Sequence, residues 1–129
     1  MSKHGLTLSN LDSDFSVCSL SAGSDVPVWA SRGDFFSITG TADELSVVCE
    51  SSYVPSGIKA EAGWRALKVA GPLDFGLIGI LASLTLSLAS EGISIFAIST
   101  FDTDYLLVKH EQLHRAQQAL IQAGHKIAL

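Results

Sequence analysis

The sequence predicts an α+β protein whose second half is a single strand, helix, strand, strand, helix, strand unit. A long apolar segment follows a strand-like stretch and ends at Gly92, and residues 111–123 carry apolar side chains at helical spacing. A polar turn from Ser99 to Asp104 separates two apolar strand patterns between these helices. Four strands interrupted by two helices predict a sheet with helices packed against it.

The elements of this second half follow one another closely. Residues 64–70 are a strand pattern, Gly71-Pro72 marks a turn, and a helix is predicted from about Phe75 to Glu91. Gly92 is its predicted C′ residue, because glycine accepts the left-handed backbone that ends many helices. Strands are then predicted at residues 93–99, 105–109 and 125–129, with the amphipathic helix before the last strand ending at Gly124.

The first half carries weaker patterns. Residues 15–20 form a strand pattern, residues 26–32 predict a short helix that tolerates Pro27 near its first turn, and two strands at 35–39 and 44–49 predict a hairpin. Residues 53–63 lack periodicity and contain three Gly or Pro residues, so they predict a linker.

An offset of sixty residues superposes this hairpin on the one around the polar turn. The matched pairs are Ile38 with Ile98, Thr39 with Ser99, Glu44 with Asp104, and Val48 with Val108. Either the first half is a second, degenerate copy of the unit, or the match reflects only the pattern of apolar strand, turn and apolar strand that hairpins share.

Composition excludes several classes of protein. The net charge is −5, from eight Lys and Arg against thirteen Asp and Glu, so we expect no nucleic-acid partner, because phosphate binding needs clustered positive charge. The first residues carry no apolar run typical of a secretory signal, which predicts a cytoplasmic protein. Residues 73–89 are apolar all round but short for a membrane span, so we expect a buried helix and no membrane association.

Cys18 and Cys49 both lie inside apolar strand patterns. A cytoplasmic chain keeps such thiols reduced, so we expect core residues and neither a disulfide nor a metal site. Trp29 and Trp64 flank strands, and we expect them to pack at an interface between lobes or between two copies of the chain.

The run Gly71-Pro72-Leu73-Asp74-Phe75-Gly76-Leu77-Ile78-Gly79-Ile80-Leu81, followed by the segment from Gly92 to Val108, resembles the ACT domains of stand-alone proteins with two ACT-like lobes. It is also similar to the ACT units of aspartate kinases and of cytosolic arginine sensors. The resemblance is strong over residues 64–129 and weak before them. Residues 24–32 lack the Leu-rich helix of a full ACT unit, and no second helix is evident between Cys49 and Trp64.

This resemblance implies a ferredoxin-like βαββαβ ACT domain at residues 63–129, with a degenerate ACT-like lobe at residues 1–62. It also implies amino-acid binding at an interface between ACT units, no cofactor, and a homodimer. The expected role is regulatory, with ligand occupancy passed to a protein partner, and not enzymatic.

The start of the long helix is the first candidate ligand site. A free amino acid needs donors for its carboxylate beside an acceptor for its ammonium group. The main-chain N–H groups of Gly76, Leu77 and Ile78 are expected to lack partners within the helix, and Asp74 could receive the ammonium. Phe75 belongs to the same segment. Alternatively, Asp74 only caps the helix and the glycines serve packing.

The polar turn is the second part of that site. We expect it at the same end of the sheet as the helix start, where ligands often bind. Ser99 and Thr100 could donate hydrogen bonds to a carboxylate, and Asp102 or Asp104 could hold an ammonium group or a basic side chain. Alternatively, these residues form an ordinary Asp- and Thr-rich turn.

His110-Glu111-Gln112-Leu113-His114 fits the H-E-x-x-H pattern of zinc peptidases. Such a site needs both histidines within one helix and a third protein ligand, but His110 is expected at a strand-helix junction and no Asp or Glu follows His114. We therefore expect no metal, cofactor or catalytic residue. The rival functions are an assembly module with a vestigial pocket and, less favoured, this peptidase.

Overall fold

The computed structural model of the chain describes residues 5–70 and 79–128. These residues divide into two compact units, one formed by Ser13–Trp64 and the other by Met1–Asp12 together with Arg65–Leu129. The predicted α+β class is confirmed, since the described chain combines a mainly antiparallel sheet with two α-helices.

The secondary structure has these bounds. The strands are β1 (Thr7–Asn10), β2 (Phe15–Ser21), β3 (Ser37–Gly40), β4 (Glu44–Glu50), β5 (Ala60–Val69), β6 (Ile95–Ser99), β7 (Asp104–Lys109) and β8 (Lys126–Ala128). The α-helices are α1 (Ile80–Ala89) and α2 (Leu113–Gln122), and short 3₁₀ helices cover Val28–Ser31, Ser51–Tyr53 and His110–Gln112.

The Ser13–Trp64 unit is an antiparallel sheet in the order β3-β4-β2-β5, with β5 contributing its first half. The predicted hairpin is β3 and β4, which pair Ser37 with Val48 and Gly40 with Leu45. The connection between β2 and β3 contains a 3₁₀ helix of four residues, and the connection between β4 and β5 contains one of three residues. A complete βαββαβ unit has an α-helix at each of these two places. Pro27 stands at the N-cap of Val28–Ser31, so the predicted short helix is this single tight turn.

The core of this unit is small and contains both thiols. Cys18, Ala30, Val47 and Cys49 are buried together, and Trp29 packs against them. The core position predicted for the cysteines is confirmed, while Trp29 packs in its own unit's core and is not shown at an interface. Burial raises the pKa of the Cys49 thiol to about 11, with the neighbouring Cys18 adding to the rise. Both thiols are therefore protonated and unreactive at neutral pH.

The second unit is a sheet in the order β6-β7-β5-β1-β8 with α1 and α2 packed on it. Strand β1 pairs antiparallel with β5, placing Leu8 opposite Val69, and parallel with β8, placing Leu8 opposite Ile127. The sequence did not predict this strand, which lies between the first and last strands of the predicted unit. Its four residues offer too short an alternation to stand out.

The hydrophobic core of the second unit lies between the sheet and the two helices. Its buried members are Leu8, Leu67, Val69, Leu84, Leu88, Ile93, Leu106, Val108, Ala116, Ala119 and Leu120. Of α1, only Leu84 and Leu88 are buried, one turn apart on the same face, whereas Leu86 is 68% exposed. The helix that was expected to be buried is therefore buried on one face only.

Both helices end as predicted. At the end of α1 the Ile93 N–H donates to the Leu88 carbonyl (3.1 Å) and Gly92 has a φ of 73°. At the end of α2 the His125 N–H donates to the Leu120 carbonyl (3.0 Å), and Gly124 has a φ of 100°. These are Schellman motifs, in which glycine takes the left-handed backbone without a Cβ penalty.

The start of α1 lies later than predicted. Gly79 is its N-cap residue with a φ of 80°, a left-handed backbone that an α-helix cannot continue through, so the helix begins at Ile80 instead of near Phe75. The first-turn N–H groups belong to Ile80 and the residues after it. Among the residues the structure describes, no helix combines the length and apolar character required to cross a membrane.

Candidate functional site

The turn between β6 and β7 brings together four of the residues predicted for ligand binding. Ser99 and Asp104 face each other as the last pair of the two strands. The Ser99 hydroxyl donates to Asp104 Oδ1 at 2.5 Å, so that carboxylate is held at the mouth of the turn. Asp102 is exposed at the tip, beside Phe101, whose side chain is 81% exposed.

Thr100 closes the turn from inside. Its N–H and its hydroxyl both donate to the Thr103 carbonyl, at 2.8 and 2.9 Å, while its Oγ1 accepts the Thr103 N–H at 3.2 Å. The only hydroxyl hydrogen of Thr100 is therefore committed to the turn. Thr100 shapes the site, and in this conformation its hydroxyl can offer a ligand only acceptor capacity.

Thr103 is a residue of the turn that the sequence reasoning missed. Its side chain is buried, and its hydroxyl donates to the carbonyl of Val69, the last residue of β5, at 2.7 Å. This bond ties the turn to the point where β5 ends and residues 71–78 begin. No local pattern distinguishes Thr103 from Thr100, because the anchor is a contact 34 residues away in sequence.

The first part of the predicted site lies outside the described residues. Asp74, Phe75, Gly76, Leu77 and Ile78 all fall in the segment 71–78. The structure does describe the residues on either side of that segment. Val69 contacts Thr103 as above, and Ala70 donates its N–H to the Thr7 carbonyl of β1 at 2.7 Å. On the other side, Gly79 caps α1.

A second feature of the same unit is an apolar surface formed by α1 and β6. It is lined by Ala82, Thr85, Leu86, Ala89, Ile93, Ile95, Phe96 and Ala97. In the described part of the chain β6 pairs only with β7. A group of exposed apolar side chains is typical of a contact surface.

The H-E-x-x-H segment is divided between two helices. His110 and Glu111 belong to the 3₁₀ helix His110–Gln112, whereas His114 lies in the first turn of α2, which starts at Leu113. The two imidazoles therefore do not share one α-helical face, as a zinc peptidase requires. Within residues 5–70 and 79–128, no group of three or more His, Cys, Asp or Glu side chains could hold a metal ion.

Comparison with known proteins identifies the family. A model of the ACT domain matches residues 59–122. The chain belongs to the ACT domain family. The ferredoxin-like ACT fold predicted for its second half is thereby confirmed. A further model, of an N-terminal domain, matches residues 13–57 of this ACT protein.

Solved structures support the same fold over nearly the whole ACT chain. A protein of Agobacterium tumefaciens is 39% identical, with a TM-score of 0.92 over 98% of this chain and 94% of that one. The regulatory subunit of aspartate kinase from Thermus thermophilus is 12% identical, with a TM-score of 0.61 over 87% of this chain and 93% of that one. At that identity the second likeness concerns the fold alone.

Among curated relatives, the bovine cytosolic arginine sensor for mTORC1 subunit 1 is 31% identical over 94 residues. The match covers 64% of this ACT chain and 29% of the sensor. A human relative is 30% identical over 95 residues, which cover 58% of its length. The chain thus spans between about a third and about three fifths of the curated relatives it matches.

Proposed function

We propose that this ACT protein is a cytoplasmic regulatory protein, not an enzyme, that binds an amino acid or a related metabolite and passes its occupancy to a protein partner. Membership of the ACT family supports a regulatory ligand-binding role, and the arginine sensor among its relatives supports an amino-acid ligand. The name of that relative also supports the cytoplasmic location. The net charge of −5 argues against nucleic acid as the partner.

The proposed site joins the β6–β7 turn to the segment from Asp74 to Ile78. The observation that carries it is the bond from Thr103 to the Val69 carbonyl, because that bond holds the turn where β5 ends. Asp74 follows Val69 by only five residues, which span at most about 18 Å when fully extended. The segment 71–78 therefore begins two residues after Val69, and both parts of the site are proposed to contact one ligand.

The turn supplies the negative half of this site. Asp102 and Asp104 are the proposed acceptors for a ligand ammonium or guanidinium group. Main-chain N–H groups of residues 76–78, which precede the first turn of α1, are the proposed donors for its carboxylate. Ser99 donates to Asp104 in this structure. Asp104 keeps acceptor capacity for an ammonium group beside this bond, because a carboxylate has two oxygens that each accept hydrogen bonds.

The protein is further proposed to be a homodimer, formed through the surface of α1 and β6. Leu86 belongs to this surface and is 68% exposed, and a second copy of the chain would bury it. The two-domain organisation, with an ACT domain at residues 63–129 and a degenerate lobe at residues 1–62, stays a proposal, although residues 1–12 group with the second half of the chain. The match of an N-terminal domain model to residues 13–57 supports it.

A thermal-shift screen of the common amino acids tests the proposed function. A ligand that binds only the folded protein at a hundred times its Kd adds about 2.7 kcal/mol, or roughly 10 °C in Tm. We expect one or a few amino acids to give such a shift. If none does at millimolar concentration, the rival function, an assembly module with a vestigial pocket, is correct.

Sedimentation velocity tests the dimer. Leu86→Glu places a charge in the proposed contact, so we expect the variant to sediment as a monomer at concentrations where the parent is a dimer. Val28→Glu is the matched control, because Val28 is 73% exposed and belongs to the other unit. A monomeric parent at high micromolar concentration would contradict the dimer.

A further inference from the structure

A second groove in the same unit lies between α2 and the β1 and β8 side of the sheet. It encloses about 600 Å³, within the usual range for sites that bind small molecules. Its lining consists of Ser9, Asn10, Asp12, His114, Gln117, Gln118, Ile121, Ile127 and Ala128. The strands β7, β5 and β1 separate β6 from β8 in the sheet order, so this groove is distinct from the site at the β6–β7 turn.

The helix presents one continuous face to the groove. His114, Gln117, Gln118 and Ile121 are spaced three and four residues apart, which places them above one another along α2. The neighbouring face of α2, carrying Ala116, Ala119 and Leu120, is buried in the core. Core packing therefore fixes the direction in which the polar face points.

A hydrogen bond ties this helix face to the strand beside it. Gln117 Nε2 donates to Asn10 Oδ1 at 3.0 Å, across 107 residues of sequence. Each amide keeps most of its hydrogen-bonding capacity for a ligand, since Asn10 retains both N–H donors and Gln117 retains its carbonyl acceptor and one N–H donor. The groove thus offers positioned donors and acceptors at the same place.

The charges of the groove are one-sided. Asp12 is the single carboxylate of the lining, and the lining contains neither lysine nor arginine. A ligand ammonium group has a carboxylate partner here, whereas a ligand carboxylate meets no lysine or arginine and faces repulsion from Asp12. Ile121 and Ile127 add apolar surface that can cover a short hydrocarbon chain.

We propose that this groove binds a small aliphatic amine that carries no carboxylate. Its ammonium group pairs with Asp12, its second polar end bonds to the free capacity of Asn10 and Gln117, and its methylene groups lie against Ile121 and Ile127. The proposal goes beyond the amino-acid site at the β6–β7 turn and does not depend on it.

A pair of probes that differ by one carboxylate gives the test. The full chain is titrated with 1,4-diaminobutane and, separately, with ornithine, while backbone amide shifts are followed by NMR and affinities are measured by calorimetry. We expect saturable shifts at the groove residues of α2 with the diamine. We also expect Asp12→Asn to weaken diamine binding by about ten- to a hundredfold, as for loss of a charged hydrogen bond.

The controls separate a built site from general attraction to an acidic protein. Asp43→Asn, an exposed acid in the other unit, should leave the diamine affinity unchanged. Ornithine should bind at least about tenfold more weakly than the diamine. Equal affinities for the two probes, equal effects of Asp12→Asn and Asp43→Asn, or shifts away from the groove would each overturn the proposal. Asp12 is exposed, so the variant should keep the parent Tm, and the amino-acid screen above reports on the other site separately.

Discussion

The two hairpins of the molecule, β3–β4 and β6–β7, use the same local chemistry. In each, a threonine hydroxyl closes the turn: Thr41 Oγ1 accepts the Glu44 N–H at 3.1 Å, and Thr100 Oγ1 accepts the Thr103 N–H at 3.2 Å. In each, the carboxylate that begins the returning strand accepts a serine hydroxyl, from Ser19 to Glu44 and from Ser99 to Asp104. Glu44 and Asp104 are the pair that the offset of sixty residues matched.

The hairpins differ in how they are anchored and in what they expose. Glu44 is held by a serine of the adjacent strand β2, whereas Asp104 is held within its own hairpin. Thr103 ties the second turn to the end of β5, and its counterpart at the sixty-residue offset is the exposed Asp43. The tip of the second turn carries Asp102 where the first has Ala42. The two turns therefore differ in their anchor and in the position of their exposed acid, which is Asp43 in the first and Asp102 in the second.

The largest effect is expected for Thr103, whose buried hydrogen bond to Val69 distinguishes the second turn from the first. Thr103→Val keeps the shape of the side chain but leaves the Val69 carbonyl without its buried donor, which should cost about 1–3 kcal/mol of unfolding free energy. Thr41→Val removes an exposed turn hydroxyl and should cost less, about 0.5–1 kcal/mol. Urea unfolding of both variants measures the difference. Equal losses would show that Thr103 is no stronger an anchor than Thr41.

The next prediction concerns pH, because Ser13–Trp64 contains no histidine while the other unit buries His125. His125 Nδ1 accepts the Leu6 N–H at 3.0 Å, and burial lowers the pKa of this imidazole. At acid pH the folded state then binds fewer protons than the unfolded state. The contribution of His125 to the free energy of unfolding is therefore fully present above the ordinary histidine pKa of about 6.5, and it is lost as the pH drops through the lowered value.

Unfolding measured at a series of pH values between about 7.5 and 5 tests this. His125→Asn retains an acceptor near the Nδ1 position but does not titrate there, so its stability should depend less steeply on pH than that of the parent. The same slope in the parent and the variant would rule out His125 as the source of the acid sensitivity.

The smallest expected effect compares the two serine-carboxylate pairs. Glu44→Gln and Asp104→Asn each replace a charged acceptor by a neutral one, and each should cost about 0.5–1 kcal/mol or less. Asp104→Asn should in addition weaken binding of the amino acid found in the screen, whereas Glu44→Gln should not. An equal loss of ligand affinity in both variants would show that the two hairpins do not differ in ligand binding.

Local patterns predicted the parts of the fold that depend on local physics. Gly92 and Gly124 end their helices where the sequence placed them, and both hairpins form around the predicted turns. Strand β1 was missed because its place between β5 and β8 depends on partners about sixty and 120 residues away in sequence. The start of α1 was misplaced because Gly79 adopts a left-handed backbone inside an apolar run.

The same distinction between local and long-range features applies to the candidate site. Ser99, Thr100, Asp102 and Asp104 could be selected from the polar turn alone, and the structure brings them together within one hairpin. The committed hydroxyl of Thr100 and the buried anchor at Thr103 could not be predicted, because each depends on which hydrogen bonds the folded turn makes. The polar groove beside α2 was likewise not predicted, since Asn10 and Gln117 meet only in the folded chain.

The most direct test of the account is a calorimetric titration of the screened amino acid into the parent, Asp102→Asn and Asp43→Asn. The two variants make the same chemical change, one at the tip of the β6–β7 turn and one in the turn between β3 and β4. We predict that Asp102→Asn weakens binding by about 1.5–3 kcal/mol, roughly ten- to a hundredfold in Kd, and that Asp43→Asn binds like the parent. An unchanged Kd for Asp102→Asn, or an equal loss in both variants, would contradict the placement of the ligand at the second hairpin.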